Sequence, residues 1–375
     1  MRERTDEKTG RTVRQLTDAP DGASVGYFRQ CKYLPDGRLI GHTHGRPHSY
    51  LGLDPESGQV ETLQFPGHVL RLTCSSGRAY CFDHKTRQVL AVERPGCAPV
   101  RLGELPEGDL KPTEIDITED GRTVVIAERV QPPEDVNPPP GRDAAKLLAW
   151  MARPRSGNMW SYDLKEGKLT HVLHLSDRCP IHIDPSPADP RLVKFSHDMY
   201  DAFCQRIWTV RVDGSALTPI RPQERGELVT HEFWWPGGQL IGYKYQDRRN
   251  DPTIEQLPWG EYSPIPTQLG LAGLDGRERY LSDPLNHYHS HVFVSRDCKW
   301  LCGEGTDSRS FVYVAPFSMD STRVDFVPLV SIHTPYIAFS PGQHVNAGFS
   351  ADARWLVYND TMDGKLQVCA VRVEL

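Results

Sequence analysis

The chain has 375 residues, a formal net charge of -6, 38% hydrophobic and 25% charged residues. That balance suits a globular protein and offers no broad basic field for nucleic acid or anionic lipid. No run is long and apolar enough to span a bilayer, and the N-terminal MRERTDEKTGRTVRQ lacks the apolar core of a secretory signal. The nine cysteines form no CxxC pair. Several, including Cys81, Cys302 and Cys369, sit in apolar runs, which predicts buried reduced thiols in a cytoplasmic protein.

Taken in chain order, short alternating runs rich in Val, Ile, Leu, Tyr and Trp lie between turn signals, and Gly and Pro number 31 each. The segment 11–19, RTVRQLTDA, reads as a strand with no neighbours of its own. Turns of one type then recur before a strongly apolar strand: LPDGRLIG (34–41), SSGRAYCFD (75–83, the weakest), TEDGRTVVIA (118–127), ADPRLVKFS (188–196), WPGGQLIGY (235–243), SRDCKWLCG (295–303) and SADARWLVY (350–358). Most are followed by a hairpin, as in YLGLDPESGQVETL (50–63), MWSYDLKEGKLTHV (159–172), IWTVRVDGSALTPI (207–220) and LGLAGLDGRERYL (269–281). Seven such units predict an all-β, seven-bladed β-propeller over 1–375, a single domain. The orphan segment 11–19 is expected to pair with the C-terminal blade and close the ring. An irregular pair of β-sandwiches is the alternative. Two stretches interrupt the repeat, 131–158 and 246–267; the first carries QPPEDVNPPPGRD and a short helix over 142–151, RDAAKLLAWM.

The innermost strand of a blade lines the channel, and it precedes the recurrent turn. Six residues before Asp36, Asp120, Gly237, Asp297 and Asp352 stand Gln30, Glu114, His231, His291 and Asn346; eight before the last two stand His289 and His344. A channel that were only core would carry apolar residues there. The stretch HYHSHVFVSRD (287–297), with three alternating histidines, thus supplies His289 and His291 to the same inward positions as His344 and Asn346, while His287 sits further out. A wet polar channel without chemistry is the competing reading. HTHGRPH (42–48) follows a second strand, away from these positions.

The stretches ELVTHEFWWPGGQLIGYKY (227–245), CQRIWTVRVDGS (204–215), SHVFVSRDCKWLCGEG (290–305) and QHVNAGFSADARWLVYND (343–360), with KFSHD (194–198) and VRQLTD (13–18), resemble the oligogalacturonate lyases, a family of seven-bladed propeller polysaccharide lyases. THEFW followed by Pro-Gly-Gly is the most specific piece. The resemblance implies cytoplasmic β-elimination on short uronic-acid oligosaccharides with a divalent metal, typically manganese. It puts His231 on the Brønsted base, Arg206 on the arginine that meets the uronate carboxylate, and His291 and His344 on metal ligands. Asn346 stands where the family has its third metal histidine, and Gln343 is the nearest candidate for the family's glutamine, at an altered spacing. His289 is a replacement donor. Among substrate contacts, Gln30 and Glu114 come from the inward positions, and His197 in KFSHD is placed to meet sugar hydroxyls.

Each of these residues has a plainer role open to it. His231 bonds a neighbouring blade, Arg206 pairs with a carboxylate such as Asp198, and His197 caps its strand. An amide oxygen at 346 is a harder, weaker ligand than imidazole. That keeps open a propeller enzyme acting on a different uronide, and beyond it a non-catalytic binding scaffold. No nucleic-acid or membrane partner is expected, and the oligomeric state is not legible in the sequence.

Overall fold

A computed structural model of the chain describes residues 1–27, 33–34, 36–45, 48–73, 78–107, 110–130, 149, 156–176, 178–197, 204–252, 265–305, 311–334 and 344–374. Gln30, Gln343, Asp198 and, apart from Ala149, the helix expected over 142–151 lie outside these residues, as does most of both insertions.

The chain opens with β1 (Arg2–Thr5) and β2 (Thr12–Gln15). The first complete sheet is β3 (Ala23–Val25), β4 (Leu39–Thr43), β5 (Tyr50–Leu53) and β6 (Val60–Leu63). The next comprises β7 (His68–Leu72), β8 (Ala79–Asp83), β9 (Gln88–Val92) and β10 (Val100–Glu104), and the third β11 (Glu114–Ile117), β12 (Thr123–Val130), β13 (Ser156–Asp163) and β14 (Lys168–Leu175). The fourth has β15 (Ile181–Pro185), β16 (Leu192–Ser196), β17 (Ile207–Arg211) and β18 (Thr218–Pro219). The fifth has β19 (Glu227–Trp234), β20 (Leu240–Asp247), β21 (Gln268–Gly273) and β22 (Glu278–Leu281), and the sixth β23 (Val292–Val294), β24 (Trp300–Glu304), β25 (Phe311–Pro316) and β26 (Val327–Ser331). The last combines both ends of the chain in the order β1-β2-β29-β28-β27, with β27 (Gly348–Phe349), β28 (Trp355–Met362) and β29 (Lys365–Arg372). Neighbouring strands within each sheet are consecutive in the chain, apart from β2 and β29, which pair antiparallel. These are the blades of a seven-bladed β-propeller.

The N-terminal segment pairs as its sequence predicts: Val13 lies opposite Val371 and Gln15 opposite Cys369. β1 adds a fifth strand that the repeat did not announce. Two buried carboxylates pin this seam. Asp360 of β28 accepts from the His333 and Thr334 amides (2.6 and 3.0 Å) and from Arg4 Nη2 (3.2 Å). Asp6 accepts from the Ser331 amide at 3.0 Å.

Where Thr118, Ser295 and Ser350 open it, the recurrent turn has one construction. The amide of its fourth residue bonds the carbonyl of its first, as in Thr118–Gly121, Ser295–Cys298 and Ser350–Ala353. The opening hydroxyl donates to the Asp two residues on (2.6–2.7 Å) and accepts the amide of the next strand (3.0 Å). The fourth residue needs positive φ. Gly37, Gly121 and Gly238 supply it freely; Cys298 and Ala353 adopt +60° and +58° at the cost of steric strain.

Contacts divide the chain into two compact units: Met1–Ala79, Val92–Pro99 and Ser282–Leu375 in one, Tyr80–Ala91 and Val100–Leu281 in the other. In the first, Val312, Val314 and Leu329 of the sixth sheet bury against Leu356, Tyr358 and Val371 of the last, whose other face, with Val357, Val368 and Ala370, covers Val25, Leu39 and Leu53. In the second, Val125, Ala127 and Met159 pack on Ile183, Val193 and Phe195, and Ile207 and Ile220 on Val229, Ile241 and Tyr243. Cys81, Cys302 and Cys369 are buried thiols, and burial pushes the Cys81 thiol up to about 12.

Replacing Cys298 by Gly relieves its left-handed strain, so Cys298→Gly should stabilise the fold by about 1 kcal/mol. The check is a higher urea midpoint at unchanged m-value; a lower midpoint refutes the strain argument.

Candidate functional site

In five of the blades the first strand ends just before the residue that opens the recurrent turn. Four residues before those openers (Thr118, Ser186, Trp235, Ser295 and Ser350) stand Glu114, His182, His231, His291 and Asn346. His182 is the member that counting back from the turn Asp overlooks. The loop from Ser186 to Leu192 is one residue longer than its counterparts, so His182 lies seven residues before Asp189 instead of six. Three of the five are held at positive φ: His182 (+52°), His231 (+54°) and Asn346 (+49°). The β15–β16 register shifts between Ile181 and Asp184, and the β19–β20 register between Thr230 and Phe233. Both histidines therefore sit in β-bulges, which re-aim a side chain away from the regular ladder.

In the second unit the organising group is Glu232, next to His231 and fully buried. Its Oε2 accepts Arg206 Nε at 2.8 Å, its Oε1 accepts the Ser196 hydroxyl, and His182 Nδ1 lies 3.5 Å from Oε1. Burial raises the carboxyl's pKa, but Arg206, the His182 hydrogen bond and the Lys194 charge overcome this and hold it well below 4.5. Arg206 is itself only 1% exposed. Lys194, equally buried, lies 3.5 Å from Asp184, so two carboxylates and two cations balance in one region of this unit. Asp198 lies outside the described residues, and Arg206 pairs with Glu232. The His197 amide donates to the Arg206 carbonyl (2.9 Å), its Nδ1 approaches the Gln205 carbonyl (3.2 Å), and its ring lies 5.7 Å from those of Phe195 and Trp208. Glu114 is tied inward: Oε2 accepts the Ile183 amide at 3.1 Å and Oε1 lies 3.6 Å from Arg129.

In the first unit, His291 and His344 come together with ring centroids 5.5 Å apart. His291 Nδ1 is hydrogen-bonded to the buried carboxylate of Glu304 on β24, which also accepts the Ala347 amide at 3.0 Å. Burial raises the Glu304 pKa, yet His291 outweighs it and the net shift is downward. An imidazole whose Nδ1–H serves a carboxylate presents its Nε2 lone pair, the second-shell arrangement of metal-binding histidines. That Nε2 lies 3.4 Å from the Tyr27 hydroxyl. Burial and then the neighbouring His291 push His344 down to about 4, so it is neutral at pH 7 with a lone pair to give. Asn359 anchors the segment: its Nδ2 donates to the His344 carbonyl (3.0 Å) and its Oδ1 accepts the Val25 amide (2.8 Å).

His289 goes elsewhere. Residues 287–291 precede β23 and are not strand, so the alternation does not aim the three rings alike. His289 packs at 4.1 Å from Phe326 and 5.1 Å from Tyr313, on which His287 stacks at 4.6 Å. Among the described residues no three His, Cys, Asp or Glu side chains are spaced to hold a metal. Of the expected metal donors, the structure brings the imidazoles of His291 and His344 together, and Asn346 is buried two residues beyond His344.

Two curated relatives with local sequence similarity and two solved structures are oligogalacturonate or oligogalacturonide lyases. The oligogalacturonate lyase of Dickeya dadantii (strain 3937) is 34% identical over 84 residues, 22% of this chain and 21% of that protein. The oligogalacturonide lyase of Pectobacterium atrosepticum is 26% identical over 123 residues, 32% of this chain and 28% of that protein. The alignments thus span less than a third of these relatives. Two solved structures match over 100% of this chain and 96% of theirs: an oligogalacturonate lyase in complex with manganese (TM-score 0.74, 20% identity) and the oligogalacturonate lyase of Vibrio parahaemolyticus (TM-score 0.76, 18% identity). The propeller fold is shared with oligogalacturonate lyases. No family model matches the chain. The resemblance to oligogalacturonate lyases seen in the THEFW and QHVN stretches therefore extends, as fold, to the whole chain.

Neither Glu232 nor Glu304 was singled out from sequence. The available signal was an acidic residue next to apolar ones within a strand, where a buried charge is stable only when paired. Glu232→Ala leaves Arg206 buried beside an uncompensated gap and should cost about 3–5 kcal/mol in urea unfolding at neutral pH. A carboxyl depressed on folding stabilises the native state above its unfolded value, near 4.5, and loses that contribution as acid protonates it. The difference between wild type and variant should accordingly narrow below pH 4.5; a constant difference would show that the carboxylate charge is not the stabilising element.

Proposed function

We propose that this protein is a metal-assisted lyase that cleaves short uronic-acid oligosaccharides, oligogalacturonides foremost, by β-elimination in the cytoplasm. The observation that carries the reading is a buried arginine fixed by Glu232, the residue next to His231. Cleavage removes the C5 proton beside the uronate carboxylate. The C–H electrons form the C4–C5 double bond, the C4–O bond breaks, and the departing oxygen is protonated. The C5 proton is weakly acidic, so charge building on the carboxylate must be stabilised. Arg206, preset by its ion pair, is suited to meet that carboxylate without reorganising. His231 takes the proton as base; a neutral imidazole, with ~6.5 as the ordinary histidine pKa, is competent near neutrality. His197 and Glu114 are assigned to the sugar hydroxyls, and Gln30 and Gln343 keep the roles expected of them.

His291, His344 and Asn346 would hold the divalent ion, with Glu304 fixing the His291 tautomer. When bound, such an ion supplies further electrostatic stabilisation of the carboxylate. The manganese in the complex of the related fold supports this choice of metal. Asn346, an amide where an imidazole is expected, favours a second reading in which the same chemistry acts on a different uronide.

Ultraviolet absorbance of the new double bond tests the activity. His231→Ala and Arg206→Ala should each lower kcat/KM for oligogalacturonides by about 10²–10³-fold. Absence of an unsaturated product from every uronide tried would refute the lyase reading. Metal is tested separately: chelation should remove activity, Mn²⁺ should restore it, and His291→Ala should lose Mn²⁺ binding in titration calorimetry. A His291→Ala protein that binds Mn²⁺ like wild type would clear this histidine of the role.

A further inference from the structure

We propose that His182 is a substrate-contacting residue, an imidazole set by Glu232 to meet a hydroxyl of the sugar acid whose carboxylate Arg206 takes. The proposal rests on the lyase reading for the identity of the substrate.

Three independent features of the chain single out His182. Its place in the repeat is the first: it stands four residues before its turn opener, as His231 and His291 do. The second is its backbone. A histidine at φ +52° is strained, and the β15–β16 ladder gives up regular pairing between Ile181 and Asp184 to accommodate it. His231 shows the same combination of positive φ and a broken register. Turn residues such as Cys298 and Ala353 are also left-handed; at His182 and His231 the strain instead lies within a strand, at a bulge that re-aims the side chain.

The third feature is the partner. Glu232 uses one carboxylate oxygen for the Arg206 guanidinium and the other toward His182 Nδ1, at 3.5 Å. One buried anion therefore sets both side chains. The His182 side chain is 25% exposed, whereas Glu232 is fully buried, so the ring extends outward from its anchor. With Nδ1–H directed at the carboxylate, the Nε2 edge is the one that would meet a sugar hydroxyl, as acceptor when neutral and as donor when protonated. An arginine for a carboxylate and an imidazole for a hydroxyl, fixed by one group, match a sugar acid.

The test uses His182→Asn and His182→Gly, two residues that tolerate left-handed backbone. Trigalacturonate cleavage gives KM and kcat; calorimetry with trigalacturonate on the His231→Ala protein, with and without His182→Asn, gives binding free of turnover. We expect about a tenfold rise in both KM and Kd, the effect of one lost hydrogen bond, with KM changing more than kcat and thermal unfolding close to wild type. Unchanged KM and Kd overturn the proposal while leaving the lyase reading intact, as does a loss of thermal stability with normal KM in the folded protein, which would make His182 structural. Weakened binding in a protein whose parent forms no unsaturated product would keep the contact and remove the lyase reading. If the parent binds no uronide, both fall.

Discussion

A blade of this propeller is a sheet whose two faces are both apolar, and neither can be left in water. Val125, Ala127 and Met159 are buried only because Ile183, Val193 and Phe195 cover them; Val13, Leu356 and Val371 need the sixth sheet in the same way. The flanks of each blade are therefore committed to packing. Polar side chains that must do something else are pushed to the inner strands and to the turns that close them. That division places Glu114, His182, His231, His291 and Asn346 at equivalent positions before their turns.

Charge inside such strands has to be balanced locally. Glu232 and Glu304 are each buried within a strand, and each is matched by a basic side chain from another strand or segment: Arg206 for the first, His291 for the second. A buried ion pair gives little net stability, because desolvation consumes most of the Coulomb gain. What it supplies is direction. Arg206 is held by its Nε edge and His291 by its Nδ1, which sets how the guanidinium plane and the imidazole lone pair are presented. The bulges at His182 and His231 contribute direction by a different route, through backbone strain instead of charge. The N-terminal seam uses buried carboxylates again, Asp6 and Asp360, there to fasten the two ends of the chain into one sheet.

Much of this was legible in the residues. The Asp-Gly-type turns and the alternating runs between them carry the blade repeat, since turn chemistry and period-two alternation are local properties. The segment 11–19 announced its pairing because an apolar strand without neighbours must find one. The inward positions followed from the same count, and His291 and His344 do meet. The count missed His182 through a single extra residue in the loop from Ser186 to Leu192, and it did not foresee that His289 packs against Phe326 and Tyr313.

The linear order of residues by itself determined the strands, their turns, the number of blades and the positions at which polar groups stand before each turn. All of these follow from interactions spanning a few residues. Only the tertiary structure decided which charges answer one another: that Arg206 meets Glu232 twenty-six residues away, that His291 is fixed by Glu304, and that His289 turns to Phe326 and Tyr313. Those choices depend on how strands are laid side by side and where a bulge redirects one side chain. A buried charge also takes whichever partner the packing brings within reach, whatever its distance along the chain.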